Sequence, residues 1–154
     1  MNLGCGEDKY GTDRVDINKT SATTLVCDVE QGLPYPSEVF DQIFSRNLFE
    51  HLRNPGFFLD ECYRVLKQSG LITIITDNAE CTRYYTLGTH TGRYEKKHEN
   101  DRHYSIFTQS HLENHFDSAK FKVLSITYVK TDTLGKWLDV FTRQKPRLKV
   151  IAIK

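Results

Sequence analysis

The strongest constraint on this chain is an ordered series of short apolar runs, each closing in a glycine or a polar turn. Met1–Gly4 is the first, Arg14–Ile17 the second, and Thr24–Cys27 the third, ending at Asp28. Asp41–Ser45 is the fourth. The fifth, Leu71–Thr76, reads Leu-Ile-Thr-Ile-Ile-Thr and is the most β-branched. Continuous runs of this kind read as parallel strands buried on both faces rather than on one.

Between the fourth and fifth runs lies the clearest helix. Asn54 suits an N-cap and Pro55 the first helical residue. Phe58, Cys62, Val65 and Leu66 recur at i, i+4, i+7 and i+8, which makes one apolar face, and Ser69-Gly70 is the expected stop. Strand, helix and strand at this length form a βαβ unit, so strands four and five should run parallel. A second helix is expected from a Thr108 cap over Gln109 to about Phe116. Strands are expected at Lys122–Lys130 and Leu148–Ile153. The connections from Gly6 to Arg14 and from Ile17 to Thr24 are too short for the helical crossover that parallel strands generally use. The helices after strands one and two are therefore reduced to turns. Part of the sheet is left poorly covered, which predicts a homodimer or partner contact there.

The 154 residues, with 38% hydrophobic content, suit one domain with one core, residues 1–154. A formal net charge of +1 gives no global pull toward nucleic acid or acidic membranes. The basic run Arg143, Lys145, Arg147 and Lys149 reads as a solvated loop and edge strand. No apolar stretch approaches the ~20 residues of a membrane span, and no signal peptide precedes Asn2. A cytoplasmic location is the expectation. The four cysteines are scattered without a C-x-x-C pair, which argues against a zinc cage. Cys5, Cys27 and Cys62 read as small buried hydrophobes.

In an open α/β sheet a ligand sits beyond the carboxyl ends of the strands. Gly4 and Gly6 remove side chains where the backbone must approach such a ligand. Asp16 ends the second strand, where a carboxylate can accept hydrogen bonds from ribose hydroxyls. Asp28 ends the third and can accept one from an adenine amino group. The same aspartates also suit turn caps, Asp16 over Asn18–Thr20 and Asp28 over Glu30–Gly32.

Taken with these residues, the whole series resembles the class I S-adenosylmethionine-dependent methyltransferases, of the branch acting mostly on small molecules. Asn2-Leu3-Gly4-Cys5-Gly6 resembles the family's first motif, Val15-Asp16-Ile17 its acidic second motif, and Cys27-Asp28 with Leu33-Pro34-Tyr35-Pro36 its third. Phe40 to Leu52 resembles the fourth strand and its exit, and Tyr63 to Leu71 the helix-to-strand passage that follows. The resemblance covers about the first half of the chain. It implies an α/β Rossmann-like sheet of seven strands, mostly parallel, with the last strand antiparallel. It implies S-adenosyl-L-methionine as cofactor, with Gly4 and Gly6 against its methionine part. Asp16 would hold the ribose, Asp28 and Val29 would flank the adenine, and Asn47 would stand near the sulfonium. Asn2, Cys5 and Ile17 belong to the same motifs. The family's usual helix before the first strand is not seen here, so a compact form with a more open cofactor site is expected.

The acceptor site is expected in the polar segment 79–107, which would also act as a lid. His103, Asp101, His98 and His90 are its candidate bases or acceptor ligands. A metal site from His98, Glu99, Asp101 and His103 is not compelled by their spacing, and none is assigned. Glu50 and His51 follow the fourth strand; Glu50 also suits a surface pair with Arg46 or Arg53. The exit Ser45-Arg46-Asn47-Leu48 lacks the Asn/Asp-Pro-Pro-Tyr/Phe pattern of base-amino methyltransferases, which argues against nucleobase N-methylation. O-methylation of a sugar or another small polar metabolite is the expected activity. The alternative is a catalytically degenerate fold serving as a binding or regulatory subunit. A nicotinamide oxidoreductase is disfavoured, because Glu7-Asp8 places negative charge where a diphosphate would lie.

Overall fold

The computed structural model describes residues 1–81, 103–129 and 147–154. Its strands are β1 (Asn2–Leu3), β2 (Arg14–Asp16), β3 (Leu25–Val26), β4 (Phe40–Arg46), β5 (Leu66–Asp77), β6 (Lys122–Val129) and β7 (Arg147–Ile153). The helices are α1 (Pro55–Val65) and α2 (Gln109–Ser118), with short 3₁₀ turns at Val29–Gln31 and Phe49–His51. All seven strands join one sheet in the order β3-β2-β1-β4-β5-β7-β6. β3, β2, β1, β4 and β5 are mutually parallel, and β7 runs antiparallel between β5 and β6. The expected mostly parallel Rossmann-like sheet with an antiparallel last strand is what forms.

The register sorts the side chains into two faces. Ile72 and Ile74 of β5 lie across from Ala152 and Val150 of β7. All four are fully buried, against Phe58, Leu59 and Cys62 of α1 and Leu112 and Phe116 of α2. The alternate residues Leu71, Thr73, Ile75, Ile151 and Ile153 are only half-buried and lie outside that core. Among the described residues both helices of the sheet serve one face. The connections from β1 to β2 and from β2 to β3 contain no helix.

One boundary differs from the sequence expectation. Asn54 caps α1 as expected, its Oδ1 accepting from Phe57 N at 3.1 Å. The helix then ends at Val65, short of Ser69-Gly70. Leu66 turns to extended backbone because it already pairs with Phe40 of β4. Sheet pairing thus overrides a helical pattern that would run on. Gly70 serves packing instead: an added Cβ would meet the Lys67 carbonyl at 2.8 Å. The second helix begins at its Thr108 cap as expected, with Thr108 Oγ1 accepting from His111 N at 3.3 Å. Cys5, Cys62 and Cys81 are buried, and all four cysteines are free thiols. Among the described residues no helix is long and apolar enough to cross a membrane.

Candidate active site

The carboxyl ends of β1, β2, β3 and β4 open into a cavity of about 790 Å³, within the ~300–1,000 Å³ typical of small-ligand sites. Its walls include Asn2 of β1 with Gly4, Cys5 and Gly6 after it, and Asp16 at the end of β2 with Ile17 after it. Asp28 and Val29 follow β3, and Asn47 follows β4. Every residue that the sequence reading assigned to the cofactor lines this one space.

The glycine turn is held without a following helix. Gly4 and Cys5 both donate their N–H to the Val15 carbonyl, at 2.9 and 3.1 Å. Gly6 N donates to Asp16 Oδ2 at 2.8 Å, and Asn18 N to Asp16 Oδ1 at 2.8 Å. Thr20 Oγ1 donates to the Gly6 carbonyl at 2.6 Å and lies 2.9 Å from Thr23 Oγ1. The β2–β3 connection thus clamps the β1–β2 turn by hydroxyl and carboxylate contacts. Gly4 and Gly6 both adopt positive φ, +68° and +51°, where glycine is favoured. Around an added Cβ the two differ. At Gly4 it would meet Leu48 Cβ at 2.9 Å, whereas at Gly6 nothing lies within 4 Å. That open space above Gly6, rimmed by Asp16, is where a ligand can approach the backbone.

Asp28 serves the role of a turn cap: its Oδ1 accepts from Glu30 N at 3.0 Å. Glu30, unremarked in the sequence, accepts from Arg53 N at 2.7 Å and Asn54 N at 2.9 Å. It ties the loop after β3 to the start of α1. Asn47 closes β4 at φ +55° and donates its N–H to Ile75 O at 2.9 Å. A non-glycine residue held in that region marks a turn fixed by its surroundings.

The cavity wall also carries His51, Leu52, Arg53 and Tyr104. The Arg53 guanidinium lies 5.3 Å from the Tyr104 ring centre. His51 meets His103 edge to face, ring centres 4.5 Å apart. His103 Nδ1 is 3.1 Å from Asp77 Oδ2, at the end of β5. His103 itself stands just behind His51 and Tyr104, which form the wall.

Glu50 corrects the sequence reading. It is no surface partner of Arg46 or Arg53 but is 1% exposed. Its Oε2 accepts from Thr76 Oγ1 at 2.8 Å. Its backbone carbonyl accepts from Tyr104 N and Ser105 N at 2.8 and 3.2 Å, which docks the segment bearing His103. Glu50, His51 and His103 each bring one donor or acceptor atom within 4.8 Å of the other two. Burial first, and then the Asp77 charge, push the Glu50 carboxyl up to about 7, against the opposing pull of its hydrogen bonds and His103. The i,i+3 and i,i+4 spacing that suggested an arginine pair carries no information about contacts across strands, which is why the sequence did not reveal this burial. His90, His98 and Asp101 lie outside the described residues.

A seven-stranded sheet of this order, with a glycine turn after β1 and acidic residues after β2 and β3, defines the class I methyltransferase fold. The comparisons with known proteins agree. Residues 2–74 match the family model described as a methyltransferase domain. A segment of 63 residues is 38% identical to the mitochondrial ubiquinone biosynthesis O-methyltransferase of Rattus norvegicus, covering 41% of this chain and 18% of the rat protein. Among solved structures, an S-adenosylmethionine-dependent methyltransferase from Mesorhizobium loti superposes with a TM-score of 0.69 at 15% identity, over 99% of this chain and 89% of that one. One from Archaeoglobus fulgidus gives 0.69 at 18% identity, over 99% and 84%. A putative methyltransferase solved in complex with the Trm112 methyltransferase activator of Haloferax volcanii gives 0.68 at 17%, over 99% and 80%. Residues 2–74 thus match a methyltransferase domain, and the chain shares its fold with S-adenosylmethionine-dependent methyltransferases.

Proposed function

We propose that this chain transfers a methyl group from S-adenosylmethionine to a hydroxyl of a small polar acceptor, a sugar or similar metabolite. The observation that carries the reading is the convergence of Gly4, Gly6, Asp16, Asp28 and Asn47 on one cavity, whose wall residue His51 adjoins a buried acid–histidine cluster. The curated relative in rat is named for O-methyl transfer, which supports oxygen as the acceptor atom.

S-adenosylmethionine, when bound, supplies an already activated methyl group. The chain's task is therefore mostly alignment, worth ~7–11 kcal/mol in well-oriented systems. Asp16 is assigned to the ribose and Asp28 with Val29 to the adenine. Asn2, Cys5 and Ile17 complete that wall, and Asn47 lies toward the reacting end. His103 takes the acceptor's hydroxyl proton on Nε2, while Asp77 at Nδ1 orients the ring and balances the imidazolium. The proton then passes to solvent. His90, His98 and Asp101 are retained as acceptor contacts in the 79–107 segment.

The sheet face opposite α1 and α2 supports a partner reading as well. Leu71, Ile75, Ile151 and Ile153 are half-buried there, and a second copy of the chain is the occupant assigned to it. A subunit without catalysis is the competing function, favoured by the missing crossover helices.

Calorimetric titration with S-adenosylmethionine tests the reading. Wild type should bind, and Asp16→Ala should weaken binding ~10–100-fold, as expected for losing hydrogen bonds to a charged group worth ~1.5–3 kcal/mol. Absence of binding in wild type, or an Asp16→Ala variant that binds like wild type, refutes the assignment. Binding with no methylation across a panel of hydroxylated acceptors favours the subunit reading.

A further inference from the structure

Beside His51 of the cavity wall lies more buried acid than one general base needs. Glu50 is 1% exposed and Asp77 5%. Both bear on His103: Asp77 Oδ2 lies 3.1 Å from its Nδ1, and a Glu50 oxygen lies within 4.8 Å of one of its nitrogens. Resting on the methyl-transfer reading above, we infer that Glu50 is a positioning residue, forming with Asp77 a buried carboxyl pair that carries one proton and so keeps His103 a usable base near neutral pH.

The argument is electrostatic. Two ionised carboxylates beside one imidazole would hold it permanently protonated, and an imidazolium accepts no proton. One carboxylate gives the opposite result: it orients the ring and still lets the proton leave. Like charges buried together avoid double ionisation by sharing a proton. The surroundings decide which acid stays neutral. Asp77 makes the ion-pair contact with His103. Glu50 lies beside Thr76 and the 103–105 segment, and its carboxyl accepts from the Thr76 hydroxyl. The rise of its carboxyl to about 7 agrees with this division.

Among the described residues, the charged and titratable groups near the pair include His51 on the same 3₁₀ turn, His103 from the docked segment, and Arg147, across from Asp77 in the β5–β7 register. His115 of α2 reaches only the neighbouring ring of Phe49, with centres 6.1 Å apart. Glu50 also holds the segment mechanically through its carbonyl, a contact that substitution of the side chain leaves in place. The side-chain effect is therefore separable from docking.

The test uses the full chain with ¹³C-labelled histidine and follows the His103 ring by NMR from pH 5 to 9. Wild type should show a broad or two-step curve, because Glu50 ionises in the same range. Glu50→Gln is nearly isosteric and permanently neutral. It should turn that curve into a single step and lower its midpoint by about one pH unit, while S-adenosylhomocysteine affinity changes less than about twofold. Asp77→Asn provides an independent arm and should lower the His103 midpoint as well. A His103 curve unchanged in folded Glu50→Gln overturns the inference, as does one unchanged in Asp77→Asn should the first variant not fold. It is also overturned if one equivalent of zinc or magnesium shifts the His51 and His103 signals in wild type but not in Glu50→Gln, since the cluster then serves a cation. Failure of S-adenosylhomocysteine to bind wild type would sink the methyl-transfer reading alone and leave the coupling measurable.

Discussion

Two glycines in one turn should fail in different ways when each gains a methyl group. Gly4 and Gly6 both sit at positive φ, so alanine at either position costs ~1–2 kcal/mol of backbone strain. At Gly4 the new Cβ also meets Leu48 at 2.9, 3.2 and 3.3 Å. Leu48 immediately precedes the turn that carries Glu50 and His51, so it has little room to retreat. Overpacking adds ~1–3 kcal/mol. Gly4→Ala should therefore lose about 2–5 kcal/mol in total, or roughly 5–15 °C in Tm for a domain of this size. Gly6→Ala meets nothing within 4 Å and should lose only the strain, roughly 2–6 °C. Its methyl group instead projects into the space assigned to the cofactor and should cost tenfold or more in affinity, about 1.4 kcal/mol. Thermal unfolding by circular dichroism and calorimetric titration with S-adenosylhomocysteine measure the two effects separately. Equal Tm losses would refute the steric argument, and a Gly6→Ala variant that binds like wild type would refute the placement of the ligand.

Two further outcomes follow from contacts away from the glycine turn. Glu50 has a folded-state carboxyl raised from 4.5 to about 7, so the folded chain holds a proton that the unfolded chain has released. Stability from this group is present below about pH 4.5 and is lost as pH rises through about 7, up to ~3 kcal/mol in all; Glu50→Gln should flatten that slope in urea melts taken from pH 5 to 8, and an unchanged slope would show that Glu50 is ionised throughout. Arg64 donates to the carbonyls of Tyr35 and Leu33 at 2.7 and 2.9 Å and to Glu61 at 2.8 Å; Arg64→Ala should cost ~2–4 kcal/mol and lower the urea midpoint by ~1–2 M, with Arg64→Lys recovering less than half because lysine lacks the planar fork.

The fold was largely legible because its information is local. Short apolar runs leading to Gly4, Asp16, Asp28 and Asn47 encode parallel strands whose tips converge, and the cavity wall is built from those same tips. The end of α1 was not legible, because Leu66 leaves the helix to pair with Phe40, 26 residues earlier. Glu50 was misread for a related reason. Its neighbours in sequence are arginines, but its neighbours in space come from β5 and the 103–105 segment. Burial of a polar residue is a property of the assembled sheet, and no periodicity in the flanking residues announces it. The capping use of Asp28 was legible beside its ligand reading, and the structure shows the cap directly.

Two parts of the site are held by different physics, and this sets how each responds to change. The glycine-turn side relies on part-buried hydrogen bonds among Asp16, Thr20, Thr23 and the glycine turn, which exchange with water at small net cost. The acid–histidine side lies beside fully buried Phe49, Phe58 and Ile74. There an unpaired charge costs several kcal/mol. Gain or loss of a proton is its cheapest change of state. The proposed methyl transfer would use both: a glycine turn open to the cofactor, and one acid–base group whose charge changes during the reaction.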